Sequence, residues 1–347
     1  MNPPPPSWGG RPAQREAGRV GGTVPNLPLK LACNDYDRCR ALFDGTVKPE
    51  GISLSVTRLK PRELFPRMLD HQEFDVAELS LASYATLVAR DASPFVAIPV
   101  MLSKLLRHSC IYVRRGAGIE RPQDLKGKRV GTTQYGATAI VYIKGMLNDE
   151  YGVKPEDMRW FVGGLTKPTE PPLLPLNLPD NVALEFLPRG QTLEAMLAEG
   201  KLDALFSIYF PQAFLKGSPE IARLFPNHRE IEEDYYRRTR ILPIMHTVVI
   251  KKDVLSAHPF IAASLYRAFS QARDRALEPL YDTDALMVSL PFLIDHIEHS
   301  RRVFGDDFWS YGLEPNRPSL DALCRYVHEQ GLAPRRITPD ELFVPVK

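Results

Sequence analysis

Short apolar runs alternate along the chain with longer segments in which apolar residues recur every three to four positions. The short runs predict β-strands, and the longer segments predict helices. The predicted strands are 29–33, 52–58, 74–79, 95–100, 109–113, 128–132, 158–162, 182–187, 205–209 and 244–250. The predicted helices are 36–44, 63–69, 83–90, 137–149, 193–199, 230–239, 258–276, 284–290, 294–304 and 319–330. This alternation indicates an α/β fold with mostly parallel sheets and helices on both faces.

The order of these segments predicts two lobes around a cleft. A first α/β series is followed by a second one, and the β-rich run at 244–250 and the helical tail then return to the first. We predict one lobe from residues 27–115 and 242–347 and a second from residues 116–241, with crossings at 114–118 and 240–244. A cleft between two such lobes is a natural site for a small ligand.

Composition narrows the class of protein. Of the 347 residues, 44% are hydrophobic and 25% are charged, which is typical of a soluble globular protein. Residues 1–26 are rich in proline and glycine and predict a disordered leader that lacks the apolar run of a secretory signal. No stretch approaches the roughly 18 consecutive apolar residues of a membrane span. We therefore expect a cytoplasmic protein with no membrane partner.

Charge and cysteine spacing exclude further classes. The formal net charge of +2 is carried by the leader, which disfavours nucleic acid as a partner. The four cysteines have no zinc spacing, so we expect reduced thiols and no metal site. His296 and His299 stand among charged residues, which indicates a solvated helix face rather than a metal-binding one.

Candidate chemistry follows the ends of the predicted strands, where open α/β sheets bind their ligands. Residues 34–38 (Asn-Asp-Tyr-Asp-Arg) follow the first strand, and here Asp35 and Tyr36 either cap a helix or contact a ligand. Glu78 and Ser80 lie at the end of the third strand. A carboxylate on a buried strand is costly unless it is paired or solvated, so we favour a functional role for Glu78.

The segment 131–138 runs from a strand into a helix and resembles an anion site, because its small and hydroxylated residues leave backbone N–H groups free. It lacks the glycine-rich signatures of nucleotide sites, so a carboxylate ligand fits better. The candidate ligand contacts in it are Thr132, Thr133, Tyr135 and Thr138.

Four further candidate residues remain, of which His246 and Arg240 lie near the predicted crossing at 240–244. Arg107 and His108 offer a guanidinium for a carboxylate and a titratable imidazole. His246 enters an apolar strand and is either a core histidine or a functional one. Arg240 is either the end of a solvated helix or a ligand contact.

Several short motifs together resemble the 4,5-dihydroxyphthalate decarboxylase family. They are Phe-Asp-Val-Ala-Glu-Leu-Ser at 74–80, Arg-His-Ser at 107–109, Asp-Leu-Lys-Gly-Lys-Arg-Val-Gly at 124–131, Gly-Lys-Leu-Asp-Ala at 200–204, Arg-Leu-Phe-Pro at 223–226, Pro-Ile-Met-His at 243–246 and Trp-Ser-Tyr-Gly-Leu at 309–313. The resemblance runs from about residue 29 to residue 343. The chain departs from the family pattern at Lys104, Leu106, Tyr142 and Lys144.

The resemblance implies a type II periplasmic-binding-protein-like fold and the non-oxidative decarboxylation of 4,5-dihydroxyphthalate to protocatechuate in bacterial phthalate catabolism. In that reaction we expect His108 or His246 to be the general acid, with Glu78 or Asp35 at the catechol end. Arg107 and the helix start at 132–138 would hold the second carboxylate.

Several points stay open on the sequence alone. No organic cofactor is required, although the residues leave room for a divalent metal, and a homo-oligomer is compatible with the sequence. The alternative function is a non-catalytic protein that binds a small aromatic acid.

Overall fold

The structure is a computed structural model that describes residues 25–167 and 171–346. The predicted disordered leader, residues 1–26, lies almost wholly outside the described residues. Within them, the strands are β1 (Leu27–Cys33), β2 (Ile52–Arg58), β3 (Val76–Ser80), β4 (Phe95–Lys104), β5 (Ile111–Arg114), β6 (Arg129–Thr132), β7 (Arg159–Val162), β8 (Leu184–Phe186), β9 (Ala204–Phe206), β10 (Ile221–Arg223) and β11 (Ile244–Lys251). The α-helices are α1 (Arg40–Phe43), α2 (Pro61–His71), α3 (Leu81–Ala89), α4 (Thr138–Tyr151), α5 (Leu193–Ala198), α6 (Gln212–Leu215), α7 (His228–Thr239), α8 (Lys252–Ala257), α9 (Ile261–Leu277), α10 (Leu293–Phe304), α11 (Arg317–Glu329) and α12 (Pro339–Leu342).

The strands form two sheets. The strand order is β2-β1-β3-β11-β4 in the first sheet and β10-β5-β9-β6-β7-β8 in the second. Each sheet is parallel except for one strand. In the first sheet β11 runs antiparallel between β3 and β4, and in the second β5 runs antiparallel between β9 and β10. The predicted α/β fold with mostly parallel sheets is therefore confirmed.

The chain passes between the sheets at two places, and one of them differs from the prediction. Because β5 pairs within the second sheet, the first passage lies at residues 105–110, upstream of the predicted crossing at 114–118. The predicted limit of the first lobe at residue 115 is thus too late, since a short apolar strand pattern does not reveal which sheet the strand joins. The return passage lies between β10 and β11 and includes the predicted crossing at 240–244. The two passages touch, because the Leu105 N–H donates to the carbonyl oxygen of Pro243 at 3.0 Å.

The antiparallel strand β11 determines where polar side chains collect in the first sheet. Strands β1, β3 and β4 point the same way, so their carboxyl ends share one edge. Since β11 runs in the opposite direction, its first residues lie at that same edge. His246 therefore stands opposite Ser80 on one side and opposite Ser103 on the other.

Helix α4 follows a strand of the second sheet and packs against elements of the first. It contacts α3, α11 and β11, and every residue from 138 to 147 is buried. A helix that is apolar on all sides is typical of such an enclosed position. Gly145 permits the close approach to α11, because a Cβ there would lie 2.5 Å from the ring of Tyr326.

Most predicted elements are confirmed to within a few residues, and two differ clearly. The predicted helix 36–44 is a 3-10 turn (Asp37–Cys39) followed by the single turn α1. The predicted helix 258–276 corresponds to α9, whereas the short helix α8 that precedes it was not predicted. The predicted helix 284–290 is wrong, since this segment is irregular and leaves four large apolar side chains exposed. None of the helices in the two described ranges is long and apolar enough to cross a membrane.

Candidate functional site

Glu78 is a fully buried carboxylate near the end of β3, with 0% of the residue exposed. Its Oε2 accepts a hydrogen bond from the backbone N–H of Asn34 at 2.9 Å. Its Oε1 accepts a hydrogen bond from the Tyr36 hydroxyl at 2.6 Å and lies 2.6 Å from Nδ1 of His246. Both oxygens are therefore paired, as the cost of burying a charge requires.

The partners of Glu78 keep it ionised. Burial by itself would raise the pKa of Glu78. The hydrogen bond and the charge of His246 lower the pKa, and the hydrogen bonds from Tyr36 and Asn34 lower it further. The net result is a Glu78 pKa below the ordinary value. An ionised carboxylate only accepts hydrogen bonds, so Nδ1 of His246 carries the proton between them.

Nδ1 of His246 is thus hydrogen-bonded to Glu78, whereas its other ring nitrogen, Nε2, can contact a ligand. No hydrogen bond from the described residues reaches its Nε2, and the side chain is 19% exposed. The ring is supported from the side by Phe65, with centroids 5.0 Å apart and an interplanar angle of 85°. Nε2 accepts a proton when the ring is neutral and donates one when it is charged, so this pair of residues can transfer a proton.

Tyr36 serves the pair as a hydrogen-bond donor. Burial raises the pKa of its hydroxyl, the charge of Glu78 raises it further, and Arg38 only partly opposes the two. Tyr36 therefore remains a phenol at neutral pH. Its hydroxyl lies 3.4 Å from Nδ1 of His246, which completes a compact cluster of three side chains. We call Tyr36, Glu78 and His246 the proton-transfer cluster.

Ser80 and Thr138 connect the two sheets beside this cluster. Their hydroxyl oxygens are 3.0 Å apart, and Thr138 Oγ1 also accepts the Ala82 N–H at 3.0 Å. Helix α4 has no side-chain cap at Ala137, and the N–H groups of Ala137 and Ile140 donate to backbone carbonyl oxygens. In the described part of the chain this leaves the N–H groups of Thr138 and Ala139 without an acceptor, so an anion could bind there. The sequence predicted Ser80 and Thr138 as ligand contacts, but their hydroxyls are used within the protein.

The other candidates of segment 131–138 are mostly core residues. Thr132 and Tyr135 are buried, and neither hydroxyl has a hydrogen-bond partner in the described part of the chain. The Tyr135 ring packs on Trp160 at 5.1 Å and lies 3.2 Å from Nζ of Lys144. Thr133 is half-buried. In the two described ranges, no hydrogen bond or ion pair joins Thr132, Thr133 or Tyr135 to the proton-transfer cluster.

His108 lies apart from the proton-transfer cluster. It is 1% exposed and is enclosed by the rings of Phe225 and Tyr235 at 5.3 and 5.2 Å. Its Nδ1 is 3.8 Å from the carboxylate of Glu232, and neither ring nitrogen has a hydrogen-bond partner among the described residues. Together with Arg107, it lines a small pocket beside the passage between the sheets.

Within the described residues, neither Asp35, which precedes Tyr36 in the chain, nor Arg240 forms a hydrogen bond or ion pair with the cluster. Asp35 is exposed and forms ion pairs with Arg40 at 3.4 Å and Arg58 at 4.0 Å. Arg240 is exposed and ends α7 in the left-handed conformation, with φ 58°. Its guanidinium lies 5.6 Å from the ring of Tyr236, so the helix-end interpretation of Arg240 fits its surroundings.

Sequence reasoning did not single out three residues around the cluster. Arg38 stacks on Tyr36 and Trp309, with 4.1 and 4.4 Å to the ring centroids, and Asn34 contributes its backbone N–H. The pairing of a tyrosine with an arginine in segment 34–38 and the motif at 309–313 were the available signals. Their meeting could not be read from the sequence because about 270 residues separate Arg38 from Trp309.

The two histidines of α10 have different surroundings. His299 is hydrogen-bonded to Glu233 at 2.5 Å, while His296 is exposed. Across the described ranges, no group of three or more His, Cys, Asp or Glu side chains is arranged to hold a metal ion.

Known proteins resemble this chain in sequence and in fold. A family model described as the periplasmic substrate-binding protein of a phosphonate ABC transporter matches residues 64–167. A curated 4,5-dihydroxyphthalate decarboxylase from Comamonas testosteroni is 39% identical over 319 residues, which is 92% of this chain and 97% of the relative. A protein of the same name from Pseudomonas putida is 37% identical over 211 residues, 61% of this chain and 82% of the relative.

A solved structure confirms the fold. The periplasmic aliphatic sulphonate binding protein SsuA from Escherichia coli superimposes with a TM-score of 0.51 at 12% identity, over 91% of this chain and 97% of that protein. The chain therefore has the predicted periplasmic-binding-protein-like fold. At this identity the likeness concerns the fold alone.

Proposed function

The chain belongs to the 4,5-dihydroxyphthalate decarboxylase family, and from that membership we propose that it converts 4,5-dihydroxyphthalate to protocatechuate and CO2 without oxidation. The observation that carries the proposal is the relative of that name, which matches over 97% of its own length. The protein is then a cytoplasmic carboxy-lyase of bacterial phthalate catabolism whose partner is a small aromatic carboxylate. The proton-transfer cluster supplies chemistry that such a reaction needs.

The substrate determines what the protein must provide. Each carboxylate of 4,5-dihydroxyphthalate is para to a hydroxyl, and withdrawing the hydroxyl proton moves electron density onto the carbon that bears the carboxylate. A proton adds to that carbon, the bond to the carboxylate breaks, and its electron pair returns to the ring as CO2 leaves. The reaction therefore needs a proton acceptor at one end of the ring and a proton donor at the other. One compact cluster can serve only one of these ends.

We assign the donor end to His246. In its protonated form, Nε2 delivers the proton to the ring carbon, while Glu78 holds Nδ1–H and stabilises the cation. Both oxygens of Glu78 are occupied, so it acts on the substrate through His246 and not at the catechol end, where the sequence suggested it. His108 remains the alternative acid, but it lacks a hydrogen-bonded carboxylate. General acid catalysis of this kind contributes about 10²–10⁴ in rate.

The free start of α4 is suited to the carboxylate that is not lost. The N–H groups without an acceptor in the described residues are those of Thr138 and Ala139, and the Thr138 side chain is hydrogen-bonded to Ser80 beside His246. Backbone N–H groups and the helix dipole favour an anion there. This supports binding of a dicarboxylate with one group at α4 and the other near His246.

The test is turnover of 4,5-dihydroxyphthalate by the purified, metal-stripped protein, followed as CO2 release and as protocatechuate by chromatography. We expect His246→Gln to lower kcat by about 10² or more, because it removes the proton donor. Glu78→Gln is expected to lower kcat in the same sense, since the amide no longer stabilises the cation. His296→Gln, on the exposed face of α10, is the matched control and should keep wild-type turnover.

Other outcomes would change the assignment. Loss of turnover in His108→Gln, with His246→Gln unaffected, would move the acid to His108. Turnover that appears only when a divalent metal is added back would recast His108 and His246 as candidate metal ligands. Tight binding of the substrate without any product would favour the non-catalytic binding protein.

A further inference from the structure

Arg38 is enclosed by two aromatic rings beside the proton-transfer cluster. Its guanidinium stacks on Tyr36 and on Trp309, 4.1 and 4.4 Å from the ring centroids. Its Nε donates to the carbonyl oxygen of Leu102 at 2.7 Å, Nη2 donates to the same oxygen, and Nη1 pairs with Asp37 at 2.9 Å. We call this arrangement the Arg38 clamp. Because its nitrogens are directed at protein groups, Arg38 is not free to bind the substrate.

The outer wall of the clamp is tied to β4. Lys104 donates from Nζ to the carbonyl oxygen of Ser310 at 2.6 Å and to its hydroxyl at 3.1 Å. Gly312 donates its N–H to the carbonyl oxygen of Pro99 at 2.8 Å. Strand β4 therefore holds both the guanidinium of Arg38 and the segment that carries Trp309. The motif at 309–313 thus places the Trp309 ring against Arg38.

We propose, on the basis of the proposed function, that Arg38 is a positioning residue that acts through Tyr36 on Glu78. The guanidinium fixes the plane of the Tyr36 ring, and this aims the hydroxyl at Oε1 of Glu78, 2.6 Å away. A planar, stacking cation with several donors suits this task, and lysine cannot reproduce it. Glu78 in turn holds His246.

Loss of the Arg38 clamp is expected to change the pKa of Glu78. The charged and titratable groups around Glu78 are His246 from β11, Tyr36 and Arg38 from the turn after β1, and the Cys33 thiol at the end of β1. The Tyr36 hydrogen bond is one of the contacts that lower the Glu78 pKa. Once the ring is released, that contact weakens and the Glu78 pKa rises. The acidic limb of the pH–rate profile should then move to higher pH.

The decisive experiment is a double-mutant cycle on the full-length protein with Arg38→Met, Tyr36→Phe and the double variant. We expect Arg38→Met to lower kcat by on the order of 10- to 100-fold with KM within about threefold, and to shift the acidic limb upward. If Arg38 acts through Tyr36, the double variant is no slower than Tyr36→Phe alone. Arg38→Lys should restore only part of the loss. The matched control is Arg301→Met, which removes another arginine stacked on a tyrosine, 5.6 Å from the Tyr281 ring.

A second readout keeps this inference separate from the proposed function. In protein labelled with 13C at the glutamate carboxyl carbon, and assigned with Glu78→Gln, the titration of Glu78 is followed without any substrate. Arg38→Met and Trp309→Leu should both shift that titration to higher pH. An unchanged Glu78 titration, or additive losses in the cycle, would overturn the positioning role. A shifted titration in a protein that never releases CO2 would reject the proposed function alone.

Discussion

Glu78 and Lys104 are both buried at the same edge of the first sheet, and their surroundings affect them differently. Glu78 has three hydrogen-bond donors that stabilise its charge, so its pKa falls despite burial. Among the described residues, Lys104 has only the two oxygens of Ser310 as hydrogen-bond acceptors, and burial lowers its pKa to about 7 against the opposing charge of Asp307. At the residue scale, the number of partners decides which buried group keeps its charge.

Lys104 makes stability depend on pH in a defined direction. Its pKa is about 7 in the folded protein and about 10.4 in an unfolded chain. Between these values the unfolded state binds more protons, so stability rises with pH, and the gain is lost as pH falls through 7. We expect the free energy of unfolding of the wild type, relative to Lys104→Met, to increase by on the order of 3 kcal/mol from pH 7 to pH 10. Urea denaturation measures it, and a difference that stays flat with pH would contradict it.

At the scale of elements, helix α4 links the two sheets through its first residue. Thr138 Oγ1 accepts a hydrogen bond from the Ala82 N–H at the start of α3. It is also hydrogen-bonded to the hydroxyl of Ser80 at the end of β3. The hydroxyl lies in a buried environment, with Thr138 4% exposed. An unpaired N–H there would cost more than the hydrogen bond itself contributes.

Replacing Thr138 by valine tests this link while preserving the shape of the side chain. We expect Thr138→Val to lower the free energy of unfolding by about 1–3 kcal/mol, because it leaves the Ala82 N–H without its acceptor. Thr138→Ser keeps the hydroxyl and should cost less than the valine variant. Both variants are measured by urea denaturation, and a valine variant that is as stable as the wild type would show that the hydroxyl does not stabilise the contact.

At the scale of the whole molecule, the two sheets share one continuous core. Trp160 and Phe206 from the second sheet belong to the same buried cluster as Leu31 and Val76 from the first. The packing of α4 against α3 and α11 supplies this continuity. Two halves that share a core are expected to unfold together.

The three tryptophans allow this to be measured. Trp160 lies in the second sheet, and Trp309 lies against β4 of the first, while Trp8 is outside the described residues. We expect urea unfolding followed by fluorescence and by far-UV circular dichroism to give one midpoint, in the wild type and in Trp309→Phe. Two separated midpoints, with Trp160 reporting only one, would show that the halves unfold independently.

The sequence by itself determined the local helices and strands, and it indicated that the buried carboxylate of Glu78 needs a hydrogen-bonding partner. The period-two alternation of residues 52–58 predicted β2 to the residue, because alternate burial is a property of the strand itself. The cost of a buried carboxylate predicted that Glu78 would be paired or functional, and it is paired. The motifs at 74–80 and 243–246 supplied both members of the Glu78–His246 pair, and the family resemblance was confirmed.

Only the tertiary structure decided which candidates meet. Local pattern cannot state that β11 inserts between β3 and β4, and this insertion is what brings His246 to Glu78 while His108 stays among aromatic rings. Local pattern also cannot show that the Trp309 ring stacks on Arg38 or that β5 joins the second sheet. The pattern of a few neighbouring residues shows which face of a strand is buried. The order of the strands in a sheet depends on pairings between distant parts of the chain.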